Sequence, residues 1–136
     1  MSKIILDCSA VAGWCFKDEQ DHWSIHLLDY VVEHGASVPS HWHLEVSNML
    51  LQAVKRKRTK PTDVTEKLRL FSRLPIEVDA ATSMYAFQYT TSLAQTHSLT
   101  SYDAAYLELA MRLGLPLATK DEDLKKACKR LGVKLS

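Results

Sequence analysis

The chain reads Lys3-Ile4-Ile5-Leu6-Asp7-Cys8-Ser9 near its N-terminus, a short apolar run that ends in a carboxylate and a hydroxyl. The β-branched residues Ile4 and Ile5, in a run bounded by Asp7, predict a buried strand. Ser9 is a good N-cap residue, which predicts a short helix over residues 9–16. The stretch therefore predicts a β–α unit, with Asp7 at the edge of a sheet where ligands bind in α/β proteins.

Short apolar runs and helical patterns continue to alternate along the chain. The predicted strands cover residues 3–6, 36–39, 76–78, 115–119 and 133–135. The predicted helices cover residues 9–16, 22–34, 41–58, a segment from Thr62 or Asp63 to before Pro75, and residues 79–96, 100–113 and 124–131. Gly35, Gly114 and Gly132 are expected to end three of these helices. The order predicts a three-layer α/β/α fold around a mostly parallel sheet of four to five short strands.

The composition is that of an ordinary globular protein of 136 residues, with 46% hydrophobic and 24% charged residues. Its 17 Lys and Arg and 16 Asp and Glu give a formal net charge of +1, so overall charge does not mark a nucleic-acid coat protein. The apolar runs are too short to span a bilayer, and Asp7 interrupts any signal-peptide core. Three cysteines without a CxxC pair suit a reducing compartment. We expect one domain over residues 1–136, in the cytoplasm, without a membrane partner.

Four acids fall at or near the predicted carboxyl edge of the sheet. Asp7 follows the first strand and Asp121 comes two residues after the fourth, whereas Glu45 and Asp103 lie in the first turns of helices. Carboxylates that are packed together raise one another's pKa, and a divalent cation removes that penalty. Mg²⁺ and Mn²⁺ prefer carboxylate oxygens, and such a site can activate water for attack on a phosphodiester.

Each of these acids also has a structural interpretation. Asp103 stands three residues after Thr100, at the spacing of a capping box, and Asp121 or Asp123 can cap the last helix. Glu45 can be an exposed helical acid. Asp7 is the hardest to explain in this way, because a carboxylate directly after a buried strand needs a partner or a cation. The joint placement of the four acids favours a functional site.

Four motifs resemble those of the PIN-domain nucleases, especially the VapC-type toxins of bacterial and archaeal toxin–antitoxin pairs. The first three are Leu6-Asp7-Cys8-Ser9-Ala10, His43-Leu44-Glu45-Val46-Ser47-Asn48 and Ser101-Tyr102-Asp103-Ala104-Ala105-Tyr106-Leu107-Glu108-Leu109-Ala110. The fourth is Leu117-Ala118-Thr119-Lys120-Asp121-Glu122-Asp123-Leu124. The third motif is the most specific, and all four occur in the order of the family across essentially the whole chain.

The resemblance implies a Mg²⁺-dependent endoribonuclease, in which Mn²⁺ can substitute and Asp7, Glu45, Asp103 and Asp121 hold the cation. Ser9 and Thr119 match positions that form hydrogen bonds around that site. The family further implies a homodimer, a cognate antitoxin that occupies a groove near the active site, and RNA products with a 5′-phosphate and a 3′-hydroxyl. Asp123 lies close enough to Asp121 in sequence to share its role.

Basic residues surround the fourth motif, and Lys120 and Lys125 are the candidates for RNA binding, with Lys126, Lys129 and Arg130 nearby. The run at residues 55–58 is interpreted mainly as a solvated helix end. His22 and His26 have the spacing of two zinc ligands, but no third ligand is apparent.

Three other functions compete with the toxin hypothesis. A phosphatase of the haloacid-dehalogenase kind would need a second acid where Ser9 stands, and a receiver domain would need an acidic pair after the first strand. A catalytically silent PIN module would be expected to have lost some of the four acids. A stand-alone RNA-processing enzyme of the same fold remains an alternative to the toxin.

Overall fold

A computed structural model of the chain describes residues 2–136. Its centre is a parallel sheet of four short strands, β1 (Ile4–Leu6), β2 (Ala36–Val38), β3 (Ile76–Val78) and β4 (Leu117–Ala118). They are arranged in the order β3-β2-β1-β4. All three residues of β1 are buried, as expected for a parallel strand that is covered on both faces. The sheet and its covering helices confirm the predicted three-layer α/β fold.

Within residues 2–136, eight α-helices connect and cover the strands. They are α1 (Ala12–Cys15), α2 (His22–His34), α3 (Trp42–Lys55), α4 (Pro61–Phe71), α5 (Thr82–Tyr85), α6 (Thr91–His97), α7 (Ser101–Leu113) and α8 (Glu122–Leu131). Short 3₁₀ turns occupy Ser9–Val11 and Lys17–Glu19, and a π-helical turn at Ala86–Thr90 joins α5 to α6. No helix in the described chain is long and apolar enough to cross a membrane.

The core lies between the sheet and the inner faces of the longer helices. Its largest fully buried side chains are Trp42, Tyr106, Ile4, Ile5, Leu6, Leu50, Leu107, Leu109, Leu117, Leu124, Val11 and Val31. Gly35, Gly114 and Gly132 end α2, α7 and α8 with positive φ angles, as predicted. At Gly35 a Cβ atom would also lie 3.1 Å from the carbonyl oxygen of Pro75, so glycine suits the close approach of β2 to the loop before β3.

Several predicted boundaries differ from the structure. The fifth strand is reduced to one isolated bridge between Leu117 and Leu135, so the sheet has four strands. The helix predicted over residues 41–58 ends at Lys55, and Lys57 adopts a positive φ of 60° in the turn that follows. The next helix has Lys60 at its N-cap position, without a side-chain capping hydrogen bond, and begins at Pro61, because proline suits the first helical position. The helix predicted from Asp79 begins at Thr82.

Candidate active site

Asp7 lies directly after β1 and is 3% exposed. Its Oδ1 accepts hydrogen bonds from Ser9 Oγ at 2.7 Å and from the Ala10 N–H at 2.9 Å, and its Oδ2 accepts one from Thr119 Oγ1 at 2.5 Å. Burial raises the pKa of Asp7 to about 6 in spite of these bonds, and the charge of Asp103 adds to the effect. Because a carboxylate oxygen can accept two hydrogen bonds, Oδ2 keeps one acceptor position.

Ser9 and Thr119 join the end of β1 to the end of β4. Ser9 Oγ accepts the Lys120 N–H at 2.9 Å, and Thr119 Oγ1 accepts the Asp121 N–H at 3.0 Å. The two hydroxyl oxygens are 3.2 Å apart. These side chains therefore hold the Asp7 carboxylate and also fix the backbone that leads to Asp121.

Asp121 is the N-cap of α8, since its Oδ1 accepts the Leu124 N–H at 2.8 Å. The structural interpretation of this residue is therefore correct, but the cap engages only one of its two oxygens. Among the described residues, Oδ2 of Asp121 accepts no hydrogen bond. The capping role leaves this second oxygen available to a ligand.

Asp103 lies in the first turn of α7, where the Thr100 side chain accepts its N–H at 3.1 Å. The N-cap interaction thus uses the backbone of Asp103, and within residues 2–136 its carboxylate accepts no hydrogen bond. Burial raises the pKa of Asp103, and the charges of Asp121 and Glu45 raise it further. The charges that act on Asp103 therefore come from α3 and from the N-cap of α8.

Glu45, on α3, is held by an aromatic hydroxyl. Tyr106 donates its hydroxyl hydrogen to Glu45 Oε1 at 2.5 Å, and His41 Nε2 lies 3.4 Å from the same oxygen. The His41 ring packs edge-on against Tyr102 and Tyr106. Only Oε1 takes part in these contacts, so the other oxygen of Glu45 has no partner in the described part of the chain.

A fifth acid at the same edge of the sheet has a different environment. Asp79 follows β3 and receives two hydrogen bonds from Arg112, at 3.1 Å and 2.6 Å, and Arg112 also binds Glu108 at 2.8 Å and 3.0 Å. The Arg112 guanidinium lowers the pKa of Asp79. By contrast, none of Asp7, Glu45, Asp103 and Asp121 pairs with a Lys or Arg among residues 2–136.

The arrangement of donors suits a hard divalent cation, because it offers carboxylate oxygens that pair with no Lys or Arg among residues 2–136. As the side chains stand, no three His, Cys, Asp or Glu side chains of the described residues converge closely enough to hold a metal ion. Ligation by several of the four acids therefore requires side-chain rotation. The Asp103 carboxylate accepts no hydrogen bond within residues 2–136 and that of Asp121 accepts one, whereas Asp7 is held by three.

Cys8 lies beside Asp7 but lacks the environment of a nucleophile. Burial, together with the negative charges of Glu45 and Asp7, raises the pKa of its thiol to about 12. The thiol therefore stays protonated at neutral pH, as expected for a small packing residue. His22 and His26 are exposed on α2, and they belong to no group of metal-binding side chains among residues 2–136.

Two partners could not be identified from sequence, namely Tyr106 as the partner of Glu45 and Arg112 as the partner of Asp79. The signal for Tyr106 is its position three residues after Asp103, which places both on one face of α7. The signal for Arg112 is weaker. Its i,i+4 spacing from Glu108 is visible in the sequence, but Asp79, which it also contacts, lies 33 residues earlier in the chain.

Comparison with known proteins agrees with this architecture. The sequence model of the PIN domain matches residues 4–130. The chain belongs to the PIN domain family. Ribonuclease VapC3 from Pyrobaculum aerophilum is 28% identical to it over 127 residues, which cover 90% of this chain and 92% of that protein. The crystal structure of PAE2754, also from Pyrobaculum aerophilum, has a TM-score of 0.68 at 20% identity and covers 93% of this chain and 79% of that one, a likeness of fold.

Proposed function

We propose that this PIN domain is a Mg²⁺-dependent endoribonuclease and the toxin of a toxin–antitoxin pair, with Mn²⁺ able to replace Mg²⁺. The observation that carries the proposal is the placement of Asp7, Glu45, Asp103 and Asp121 at one sheet edge without a Lys or Arg partner among the described residues. The relative named Ribonuclease VapC3 supports the choice of RNA as substrate.

Each of the four acids has at least one carboxylate oxygen that can bind a cation. Asp7 offers the one open position on Oδ2, while Glu45 and Asp121 each offer the oxygen that their anchoring contacts leave free, and Asp103 offers both. A divalent cation bound by them would polarise the phosphodiester and lower the pKa of the attacking water. Attack by water on phosphorus with departure of the 3′-oxygen of the preceding nucleotide leaves a 5′-phosphate and a 3′-hydroxyl.

Ser9 and Thr119 support the site without contacting the reacting atoms. Their hydroxyl groups hold both oxygens of Asp7 and, through the backbone of residues 120 and 121, the start of α8. This arrangement fixes the distance between the acids that follow β1 and β4. We assign them a positioning role.

An apolar groove of about 660 Å³ between α1, α2 and α4 suits the cognate antitoxin. Trp14, Leu28 and Phe71 line it together with the exposed side chains of Ile25 and Val32. An antitoxin segment with apolar side chains would bury this surface, as amphipathic segments do in other grooves.

The exposed apolar side chains at the π-helical turn suit a second copy of the chain. Phe87 is 96% exposed and Met84, three residues before it, is 76% exposed. A homodimer would cover them, since exposed aromatic residues of this kind commonly mark interfaces. We further propose that residues 1–136 act as one domain in the cytoplasm, where the three free cysteines stay reduced.

The deciding experiment is cleavage of labelled tRNA and rRNA by the purified protein in Mg²⁺, in Mn²⁺ and in EDTA. We expect discrete fragments in both metals, none in EDTA, and none from the Asp7→Asn variant. Asp63→Asn is the matched control, because Asp63 is an exposed acid of α4 and its replacement makes the same charge change. Cleavage that persists in EDTA and in Asp7→Asn would refute the proposal.

A further inference from the structure

A polar cleft of about 550 Å³ lies between the C-terminal end of α6 and the outer face of α8. Its walls are formed by Thr96, His97, Ser98, Asp123, Lys126 and Arg130. These residues take no part in the contacts of Asp7, Glu45, Asp103 and Asp121 described above. The cleft is therefore a separate feature of the molecule, and its side chains are polar or charged throughout.

The cleft carries two cations that have no ion-pair partner in the described part of the chain. Lys126 and Arg130 are exposed, lie one turn apart on the same face of α8, and form no ion pair with any of residues 2–136. Asp123 carries the single negative charge of the lining. The hydroxyl groups of Thr96 and Ser98 add hydrogen-bond donors, and Nδ1 of His97 is buried without a hydrogen-bond partner in the described structure.

The position of the cleft relates it to the acids. α8 begins directly after its N-cap Asp121, and Ser98 comes two residues before Thr100, the N-cap of α7, which carries Asp103. Each wall of the cleft is therefore adjacent in sequence to a candidate metal ligand, Asp121 on one side and Asp103 on the other. Along α8 the charge changes from Asp121 and Asp123 at its start to Lys126 and Arg130 towards its end.

Lys120 and Lys125, the two basic residues nearest Asp121 in sequence, each have a contact within the chain. Lys120 Nζ donates to the Glu19 carbonyl oxygen at 3.3 Å, lies 3.9 Å from Asp21, and stands 5.7 Å from the centre of the Trp23 ring. Lys125 pairs with Glu122 at 3.5 Å. These contacts direct Lys120 towards the start of α2.

We propose that the cleft binds backbone phosphates of a single-stranded RNA segment next to the cleavage site. The inference rests on the proposed function for the identity of the nucleic acid. Lys126 and Arg130 supply the positive charge, and Ser98 and Thr96 donate hydrogen bonds to phosphate oxygens. Because phosphates are common to every sequence, this contact positions the strand and carries no base specificity.

The test is binding of a fluorescent single-stranded RNA of mixed sequence, measured by anisotropy at several salt concentrations. All proteins carry Asp7→Asn so that the RNA stays intact. Each phosphate contact to a single strand contributes a slope of about 0.7 to the fall of log affinity with log salt. We expect the Lys126→Gln/Arg130→Gln variant to bind more weakly, with a slope shallower by about 1.4.

The matched control is Lys60→Gln/Arg69→Gln, which removes the same charge from an exposed lysine and an exposed arginine outside the cleft. An equal change in this control, or an unchanged slope in the cleft variant, would overturn the inference. If the cleft variant lost binding to polyglutamate but bound RNA as the parent protein does, the inference would also be overturned. The ligand of the cleft would then be an acidic protein segment. Failure of the proposed function can be distinguished from failure of this inference, because wild-type protein would then not cleave RNA. The binding measurements would still decide whether the cleft contacts RNA phosphates.

Discussion

The Tyr106 hydroxyl donates to Glu45 Oε1 at 2.5 Å and joins the middle of α7 to the first turn of α3. Tyr106 is 1% exposed, so this hydrogen bond forms in a poorly solvated part of the protein. Its location gives Glu45 one fixed oxygen and one free oxygen. Tyr106 is therefore placed to orient a candidate metal ligand without touching a cation itself.

The Tyr106→Phe variant is expected to bind Mn²⁺ about tenfold more weakly, because partners that orient ligating carboxylates typically contribute 10- to 100-fold to metal affinity or activity. Phenylalanine keeps the packing of the ring and removes only the donor. Isothermal titration with Mn²⁺ measures the effect. In a Glu45→Gln background the same substitution should change the affinity little, because the carboxylate that Tyr106 orients is then absent.

Tyr30→Phe is the control for the loss of a tyrosine hydroxyl, since Tyr30 donates to the Ser2 carbonyl oxygen at 2.6 Å and lies outside the acid cluster. It should leave Mn²⁺ affinity unchanged. Equal Mn²⁺ affinities for wild-type protein and Tyr106→Phe would show that Tyr106 has a packing role only.

The pKa of Asp7 makes the stability of the metal-free protein depend on pH. Because burial raises this pKa to about 6, above its usual 3.8, the folded state binds more protons than the unfolded state between these values. The free energy of unfolding should therefore fall as pH rises from about 4 to 6. At about 1.4 kcal/mol per pKa unit, ionised Asp7 destabilises the fold by about 3 kcal/mol above that range.

Asp7→Asn should accordingly be more stable than wild type in EDTA at pH 8, by about 2 kcal/mol in urea denaturation, and equal to it near pH 4. The amide can retain the contacts, with its oxygen accepting from Ser9 and Ala10 and its nitrogen donating to Thr119. Mg²⁺ should raise the Tm of the wild type more than that of the variant. A variant less stable than wild type at pH 8 would contradict the assignment of a buried, strained charge to Asp7.

The parts of the fold that local signals specify were predictable from sequence. Four strands and the glycines that end α2, α7 and α8 follow from short-range patterns of apolar residues and backbone freedom. The interruption of the helix after β3 could not be predicted, because the apolar pattern of a helix does not reveal the one extra residue of a π turn. Asp79 also extends the strand end, since its N–H donates to the Val38 carbonyl oxygen at 2.8 Å.

The candidate site divides in the same way. That Asp7 and Asp121 lie at one edge of the sheet could be anticipated, because each follows a parallel strand and the carboxyl ends of parallel strands meet at one edge. The sequence does not indicate which acid at that edge has a cationic partner, since Arg112 contacts Asp79 from another element. The pairing of Asp79 with Arg112, and the absence of a Lys or Arg partner of the other acids among residues 2–136, depend on side-chain contacts that no local spacing encodes.

The exposed apolar residues of the π-helical region lead to a prediction about assembly. Phe87→Asp should convert a dimer to a monomer, because it places a charge at the centre of the surface proposed to be buried. Light scattering coupled to size-exclusion chromatography measures the mass. Leu51→Asp is the matched control, since Leu51 on α3 is 52% exposed and lies outside this surface. A monomeric wild type, or a Phe87→Asp variant that stays dimeric, would refute the proposed interface.

Arg112→Met should destabilise the fold by about 3 kcal/mol, because it leaves the carboxylates of Asp79 and Glu108, 12% and 8% exposed, without their shared cation. Urea denaturation measures this loss, and Arg73→Met, which replaces an exposed arginine, should change stability by less than about 0.5 kcal/mol. Adding Asp79→Asn and Glu108→Gln to Arg112→Met should restore part of the stability, since no unpaired charge then remains in the cluster.

Mn²⁺ affinity should stay at the wild-type value in all these proteins, because Arg112 neutralises acids distinct from the four candidate ligands. Weakened Mn²⁺ binding in a folded Arg112→Met variant would show that the two groups of acids act as one.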